Sequence, residues 1–203
     1  GLYGNEQPKG YEAVATADNR PEYGARLQWP VASGELAISG HQRSTQTLGF
    51  SGESCGASQR ENRYAVDGRW DWAVGFWFEA VAIDQGCDLA GLDDWLHSVT
   101  LGFDSTLSIG NGLYVVAEQQ YQQLSQTMHN SAVQMSYPLS ILDSLSLLSS
   151  VHWQQDQTAT SLSWNRAYDN LLISLSGLIQ TDNNNSTTTQ WHPGFRAALV
   201  FNH

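Results

Sequence analysis

Val99-Thr-Leu-Gly-Phe-Asp-Ser-Thr-Leu-Ser-Ile109 changes character at almost every step. Val99, Leu101, Phe103, Leu107 and Ile109 share one side, and Thr100, Gly102, Asp104, Thr106 and Ser108 the other. A repeat of two is the side-chain period of an extended strand, so this stretch is a strand with one oily face. The pattern recurs along the chain in segments of about ten residues separated by turn and loop residues, the signature of strands that cross a bilayer in a barrel. The expected fold is all-β, a transmembrane antiparallel up-and-down barrel.

Composition agrees with that expectation. The 20 acidic residues against 9 basic ones give a formal net charge of -11, without the Lys/Arg footprint that nucleic-acid phosphates require. Charged residues make up 14% of the chain, against roughly a quarter in ordinary soluble domains, while tryptophans number 8. No apolar run approaches the ~18 residues of a spanning helix, which excludes an α-helical membrane protein. A barrel needs only one apolar face per strand, so a mean hydropathy of -0.35 is compatible with insertion. No linker composition divides the 203 residues, which read as a single domain, residues 1–20 being a loop or a weak first strand. Gly1 opens without a basic and apolar leader, consistent with a secretory signal already removed.

Strands are expected near Tyr23–Trp29, Glu35–Arg43, Tyr64–Trp72, Gly75–Ile83, His97–Ile109, Leu113–Tyr121, Ser131–Leu139, Ser144–Trp153, Thr160–Ala167, Leu171–Ile179 and Gly194–Phe201. Short turns at Pro30–Gly34, Trp72–Val74, Gly110–Gly112, Leu139–Asp143 and Tyr168–Asn170 are expected to alternate strictly with long connections. The long ones are Thr45–Arg60, Asp84–Leu96, Gln122–Asn130, Gln154–Thr158 and Gln180–Gln190. In barrels of the outer-membrane type the short turns are periplasmic and the long loops external. Single-chain bacterial barrels have an even number of strands, which calls for about twelve here. Tyr11–Ala17 is the candidate for the remaining strand; the alternative is that the chain is the C-terminal part of a larger barrel.

The outward faces of the strands from His97 to Tyr121 and from Ser144 to Trp153 carry no charge, only the polar exceptions Ser105, Gln119 and Ser149. An outward Lys or Arg at mid-bilayer would cost about 2–4 kcal/mol. Trp29, Trp70, Trp72, Tyr137, Tyr168 and Phe201 lie near the short turns, and Tyr64, Trp95, Tyr121, Trp153 and Trp191 near loop ends, as two interfacial girdles would. The inward face collects Arg26, Glu35, His41, Arg43, Asp67, Arg69, Asp71, Glu79, Asp104, Glu118 and His152, with Gln28 and Gln134. Two readings stand for this set: a pore lining with a transverse field, or a narrow lumen filled by salt bridges.

The segments Tyr23-Gly-Ala-Arg-Leu-Gln-Trp-Pro30, Gly34-Glu-Leu-Ala-Ile-Ser-Gly40 and Gly194-Phe-Arg-Ala-Ala-Leu-Val-Phe201 resemble hairpins and a closing strand of Gram-negative porin-like outer-membrane proteins. The resemblance implies an outer-membrane location, contact with the bilayer and lipopolysaccharide, and passive passage of small solutes or ions without a cofactor. The excess of inward carboxylates makes the expected passage weakly cation-preferring. The alternative function is a structural or ligand-binding barrel without conductance. In the resembled proteins a terminal aromatic guides insertion, whereas here Asn202 and His203 follow Phe201.

Ser163-Trp-Asn-Arg-Ala-Tyr168, with His152 upstream, also resembles part of outer-membrane phospholipase A. That likeness would make Asn165 the orienting group and His152 the base. The nucleophile position two residues after His152 holds Gln154, whose amide cannot attack an ester, so no catalytic residue is assigned. Asp84, Asp88, Asp93, Asp94 and His97 crowd one loop region; solvated loop acids, a weak divalent site and a protease-type cluster are the alternatives, and no metal site is assigned.

Cys55 and Cys87 fall in long loops flanking one strand pair, where they are either bridged or free. A bridge would close a loop of about 31 residues and constrain the unfolded chain by roughly 3–4 kcal/mol in the entropic model. Bridged cysteines are expected to resist a membrane-impermeant maleimide until reductant is added; labelling of both without reductant excludes the bridge.

Overall fold

The computed structural model describes residues 2–3, 16–17, 19–45, 59–84, 95–123, 127–182 and 190–201, which form strands and their connections without a helix. A two-residue strand, β1 (Leu2–Tyr3), precedes eleven long ones: β2 (Pro21–Val31), β3 (Gly34–Thr45), β4 (Gln59–Asp71), β5 (Gly75–Asp84), β6 (Trp95–Leu107), β7 (Leu113–Gln123), β8 (Thr127–Pro138), β9 (Asp143–His152), β10 (Gln157–Ala167), β11 (Leu171–Asp182) and β12 (Gln190–Phe201). Each strand lies beside the next in chain order, an antiparallel up-and-down sheet. Contacts divide the chain into two compact units. One holds Gly1–Trp70, Trp77–Val99 and Gln122–Gln126; the other holds Asp71–Phe76, Thr100–Tyr121 and Thr127–His203.

All eleven strands expected from the alternation are present. Of the expected twelfth, Tyr11–Ala17, residues 11–15 lie outside the described residues; at its end Thr16 makes an isolated antiparallel bridge with Thr45, and Ala17 N–H donates to the Ser44 carbonyl at 2.7 Å. The edge of β2 is met instead by β1, through Leu2 opposite Glu22 and Tyr3 opposite Pro21. The strict alternation of short and long connections also fails at two places. β8 begins at Thr127, with three residues between it and the end of β7 at Gln123, and β9 turns into β10 through Trp153–Asp156. Polar residues carry the ladder further than the hydrophobic pattern does. Trp153 N–H donates to the His129 carbonyl at 3.0 Å, and the Gln154 side chain accepts from His129 N–H at 2.6 Å.

Turn chemistry closes the opposite ends. A two-residue turn, Ala32-Ser33, joins β2 to β3 with Ala32 at φ 53°, the left-handed region that hairpin turns of the primed type require. Gly110, at φ 56°, serves the β6–β7 turn, where a Cβ would collide with the Tyr137 hydroxyl.

Register places the apolar residues on one face. Leu27, Ile38 and Val66 are cross-strand neighbours, as are Trp164, Leu175 and Ala197. Ring contacts of Tyr64 with Trp95 (6.3 Å) and Trp70 with Phe78 (6.0 Å) extend this face to the even positions of β5 and the odd positions of β6. A hydrogen bond from Ser131 to Gln119 assigns the odd positions of β7 to the same face as those of β8. No second layer covers it: Leu27 is 65% exposed, Phe103 50% and Leu199 73%. Among the described residues Ala17 and Ala37 are the only buried hydrophobic side chains. A two-layer sandwich would bury one face of each sheet in a common core, whereas the apolar face of the described strands is largely exposed.

On this apolar face the charged residues within the strands are Arg60, Asp84, Asp143 and Arg166, and every one lies at or next to a strand end. The interior positions carry none. Leu147, opposite Leu162, belongs to the apolar face, whereas Ser146, opposite Ser163, belongs to the other. Leu147→Arg is expected to weaken folding into lipid vesicles by about 2–4 kcal/mol while Ser146→Arg is tolerated. Equal losses on refolding would reverse the assignment of faces.

Candidate functional site on the polar face

The opposite face of β2–β4 is a ladder of ion pairs. The Arg26 guanidinium on β2 reaches across β3 to Asp67 on β4, its two terminal nitrogens donating to the two carboxylate oxygens at 2.6 and 2.7 Å. Ser39, between them on β3, accepts from the same guanidinium at 3.1 Å. One rung toward the short turns, Glu35 lies opposite Arg69 and accepts from the Gln28 amide at 2.5 Å. The alternation does this: even positions of β2 and odd positions of β3 and β4 point one way, and Arg26, Gln28, Glu35, Ser39, Asp67 and Arg69 among them carry side chains able to pair across strands.

Toward the loop ends the ladder becomes a buried cluster. Arg43 is 4% exposed and donates to both oxygens of Glu61, from Nε at 2.7 Å and from Nη2 at 3.2 Å. Arg63 donates to the same carboxylate. The segment that bridges to Thr45 packs alongside: the Thr16 hydroxyl donates to Glu22 at 2.7 Å, and the other oxygen of Glu22 lies 3.1 Å from His41 Nε2. Thr16, Arg43, Thr45 and Glu61 are the buried polar side chains of the described structure, so the best-packed region is polar. The Arg43–Glu61 pair ties β3 to β4 at that end, and Arg63 on β4 donates to the same carboxylate.

The polar face of the second unit is different. In β9–β11 it carries Ser144, Ser146, Ser150, Ser161, Ser163, Ser174 and Ser176, with Asn165 and Gln180. Leu148 (47% exposed) and Leu178 also lie on this face, so it is less uniformly polar than its serines suggest. Its acids include Asp104 on β6 and Glu118 on β7, neither of which has a basic or hydrogen-bonding partner among the described residues. Gly75 makes room for the first: a Cβ there would stand 2.8 Å from the Asp104 carboxylate.

The structure therefore brings together Arg26, Glu35, His41, Arg43, Asp67, Arg69 and Asp71 on one face of β2–β4. Glu79, on β5, is close enough to Arg26 to feel its charge. His152 lies on the polar face of β9, its Nδ1 2.6 Å from the Asn130 side-chain oxygen. It is not joined to Asn165: His152 sits opposite Gln157 and Asn165 opposite Ser144, about eight residues or roughly 27 Å apart along the strands. The pairing implied by the phospholipase likeness is thus not assembled. Cys55, Cys87, Asp88, Asp93 and Asp94 lie outside the described residues, while Asp84 accepts from the Asn62 amide at 3.1 Å. Among the described residues no group of three or more His, Cys, Asp or Glu side chains is placed to hold a metal ion.

Comparison with protein-family models, with curated proteins and with solved structures returned no match for this chain. Its function therefore rests on the site itself.

Sequence reading missed Glu61, Arg63 and Glu22. The run Arg60-Glu-Asn-Arg63 reads as loop by charge density, yet Glu61 and Arg63 continue the odd-numbered series of Asp67, Arg69 and Asp71. Burial separates the two ion-pair types. Glu61→Ala leaves Arg43 buried without its partner and is expected to cost about 3–5 kcal/mol. Asp67→Ala breaks a pair whose side chains are 47% and 29% exposed and should cost about 1 kcal/mol or less. Urea unfolding in detergent micelles measures both, and equal midpoints would show that burial does not govern these pairs.

Proposed function

We propose that the chain forms the wall of a transmembrane β-barrel in a bacterial outer membrane and lets small solutes or ions cross passively, with a weak preference for cations. The observation that carries the membrane half of this reading is the uncovered apolar face with charge confined to strand ends. Such a surface is stable where hydrocarbon replaces water, and a spanning sheet satisfies its backbone between neighbouring strands. Aromatic rings at both levels support it: Trp29, Tyr168 and Phe201 are exposed near short turns, and Tyr64, Trp153 and Trp191 near the opposite ends.

The transport half rests on the polar face. Glu22, Glu35, Glu61, Asp67, Asp71, Glu79, Asp104, Glu118 and Asp182 outnumber Arg26, Arg43, Arg63, Arg69 and Arg196 there. Because the arginines of β2–β4 are largely committed to carboxylates, the uncompensated charge resides with acids such as Asp104 and Glu118. Fixed negative charge along a passage raises local cation concentration, and the effect fades as the Debye length falls from about 10 Å at 0.1 M salt to about 3 Å at 1 M.

Single-channel recording in planar bilayers tests the proposal. Discrete conductance steps with a cation-selective reversal potential are expected, with Asp104→Asn shifting that potential toward anions and leaving folding unchanged. Anion preference in the wild type, or a correctly inserted protein that never conducts, would replace the channel by a structural or ligand-binding barrel.

A further inference from the structure

Arg166 is the only arginine on the apolar face at the short-turn ends of the described strands, and it has no hydrogen-bond partner among the described residues. Register sets it between Asp143 and Ile173, on the same face as Leu162 and Trp164. Its guanidinium carbon lies 5.4 Å from the centre of the Tyr168 ring, and Nε stands 3.8 Å from Asp143 Oδ1, beyond hydrogen-bond reach. Asp143 Oδ2 accepts from Ser140 at 2.8 Å, while its Oδ1 is buried beside Arg166 Nε and accepts no hydrogen bond among the described residues. The terminal nitrogens of the Arg166 guanidinium, on a side chain 39% exposed, find no hydrogen-bond acceptor among the described residues. Beside Tyr168 lies a depression of about 700 Å³ lined by Leu142, Tyr168, Asp169, Asn170, Leu171 and Ile173. The neighbouring turn is apolar at its tip, where Ile141 is fully exposed.

We infer that this corner binds the headgroup of a zwitterionic phospholipid bearing a phosphate and a primary ammonium. The inference rests on the membrane reading above. The phosphate accepts from Arg166, a planar fork suited to its oxygens. The ammonium donates to Asp169, which is exposed at the edge of the depression. An acyl chain then runs along Ile173 and Leu175. Charge complementarity selects the lipid class. Asp143 and Asp169 oppose a headgroup with net negative charge, and a quaternary ammonium has no N–H to donate to Asp169.

Insertion into vesicles is measured first, by protease protection; a protein that inserts into none overturns the membrane reading and this site with it. Native mass spectrometry of the inserted protein, exchanged into detergent with phosphatidylethanolamine, phosphatidylglycerol or phosphatidylcholine of matched chains, then reads the site alone. Preferential retention of phosphatidylethanolamine is expected. Arg166→Gln should lower it roughly tenfold, the loss of about one charge-assisted hydrogen bond. Arg166→Lys should retain most of it, and Asp169→Asn should make the ethanolamine and choline lipids equivalent. An inserted wild type with no preference, one that prefers phosphatidylglycerol, or an Arg166→Gln protein that retains as much phosphatidylethanolamine as wild type overturns the proposal.

Discussion

Each strand of this sheet meets its backbone hydrogen bonds through its neighbours, which leaves side chains alone to decide what either face touches. Everything else follows from that separation. With a period of two, one substitution changes one face and leaves the other alone, so the chain can be oily on one side and charged on the other within a single strand. Slipping the register by one residue would invert the whole arrangement, and the ion pairs resist that slip. Arg26 reaches Asp67 only when Ser39 lies between them, and Arg43 grips both oxygens of Glu61 only when those residues are directly opposed. The polar ladder therefore specifies pairing in a sheet that has almost no apolar core to do so.

This explains which parts of the molecule were legible in the sequence. Val99–Ile109 and Leu171–Ile179 announce themselves because apolar residues mark every second position over most of their length, and all eleven long strands were found on that signal. Strand ends were not. Arg60–Arg63, Gln122–Gln123 and Thr127–His129 continue the ladder with polar residues on both faces, so alternation of hydrophobicity fades before the hydrogen bonding does. The polar-face residues on β2–β4 were legible as a set from parity alone. Their partners were not, because the stagger between strands depends on turn geometry: the two-residue turn at Ala32-Ser33 is what places Glu35 opposite Pro30 and within reach of the Gln28 amide. Tyr11–Ala17, short and followed by turn residues, lies mostly outside the described residues, and its described end joins β3 through a single bridge.

The charged and the serine-rich parts of the polar face do different work. On β2–β4 opposite charges neutralise one another at close range, and the buried Glu61 cluster stiffens one end at the cost of desolvating three ionised groups. On β9–β11 small hydroxyl side chains, with Leu148 and Leu178 among them, leave most of the face uncharged, able to exchange hydrogen bonds with water or a solute without committing to any. Between these in sequence stand Asp104 and Glu118, charges without partners. A paired charge contributes to folding and little to an outside field. An unpaired one contributes little to folding and its full field to whatever passes. In the proposed channel, selectivity thus depends on the residues that stability can spare.

In the proposed membrane reading, the ends of the strands mark depth. Along the apolar face of β4 the residues run Arg60, Asn62, Tyr64, Val66, Gly68, Trp70, from charge through an amphipathic ring to aliphatic and back to an indole whose N–H donates to the Val31 carbonyl at 3.1 Å. From Tyr64 to Trp70 the strand advances roughly 20 Å. In the proposed barrel, with strands tilted by 35–45°, that would be about 15 Å of membrane normal, inside the roughly 25 Å apolar band of an outer-membrane barrel. Arg166 and Asp143 fall just outside the equivalent band on β9 and β10, where a long arginine can turn its head to the interface while its stem stays among Trp164 and Ile173. In the proposed membrane reading, a bilayer would account for this order along β4, since it favours charge at the ends of a crossing strand and apolar side chains between them.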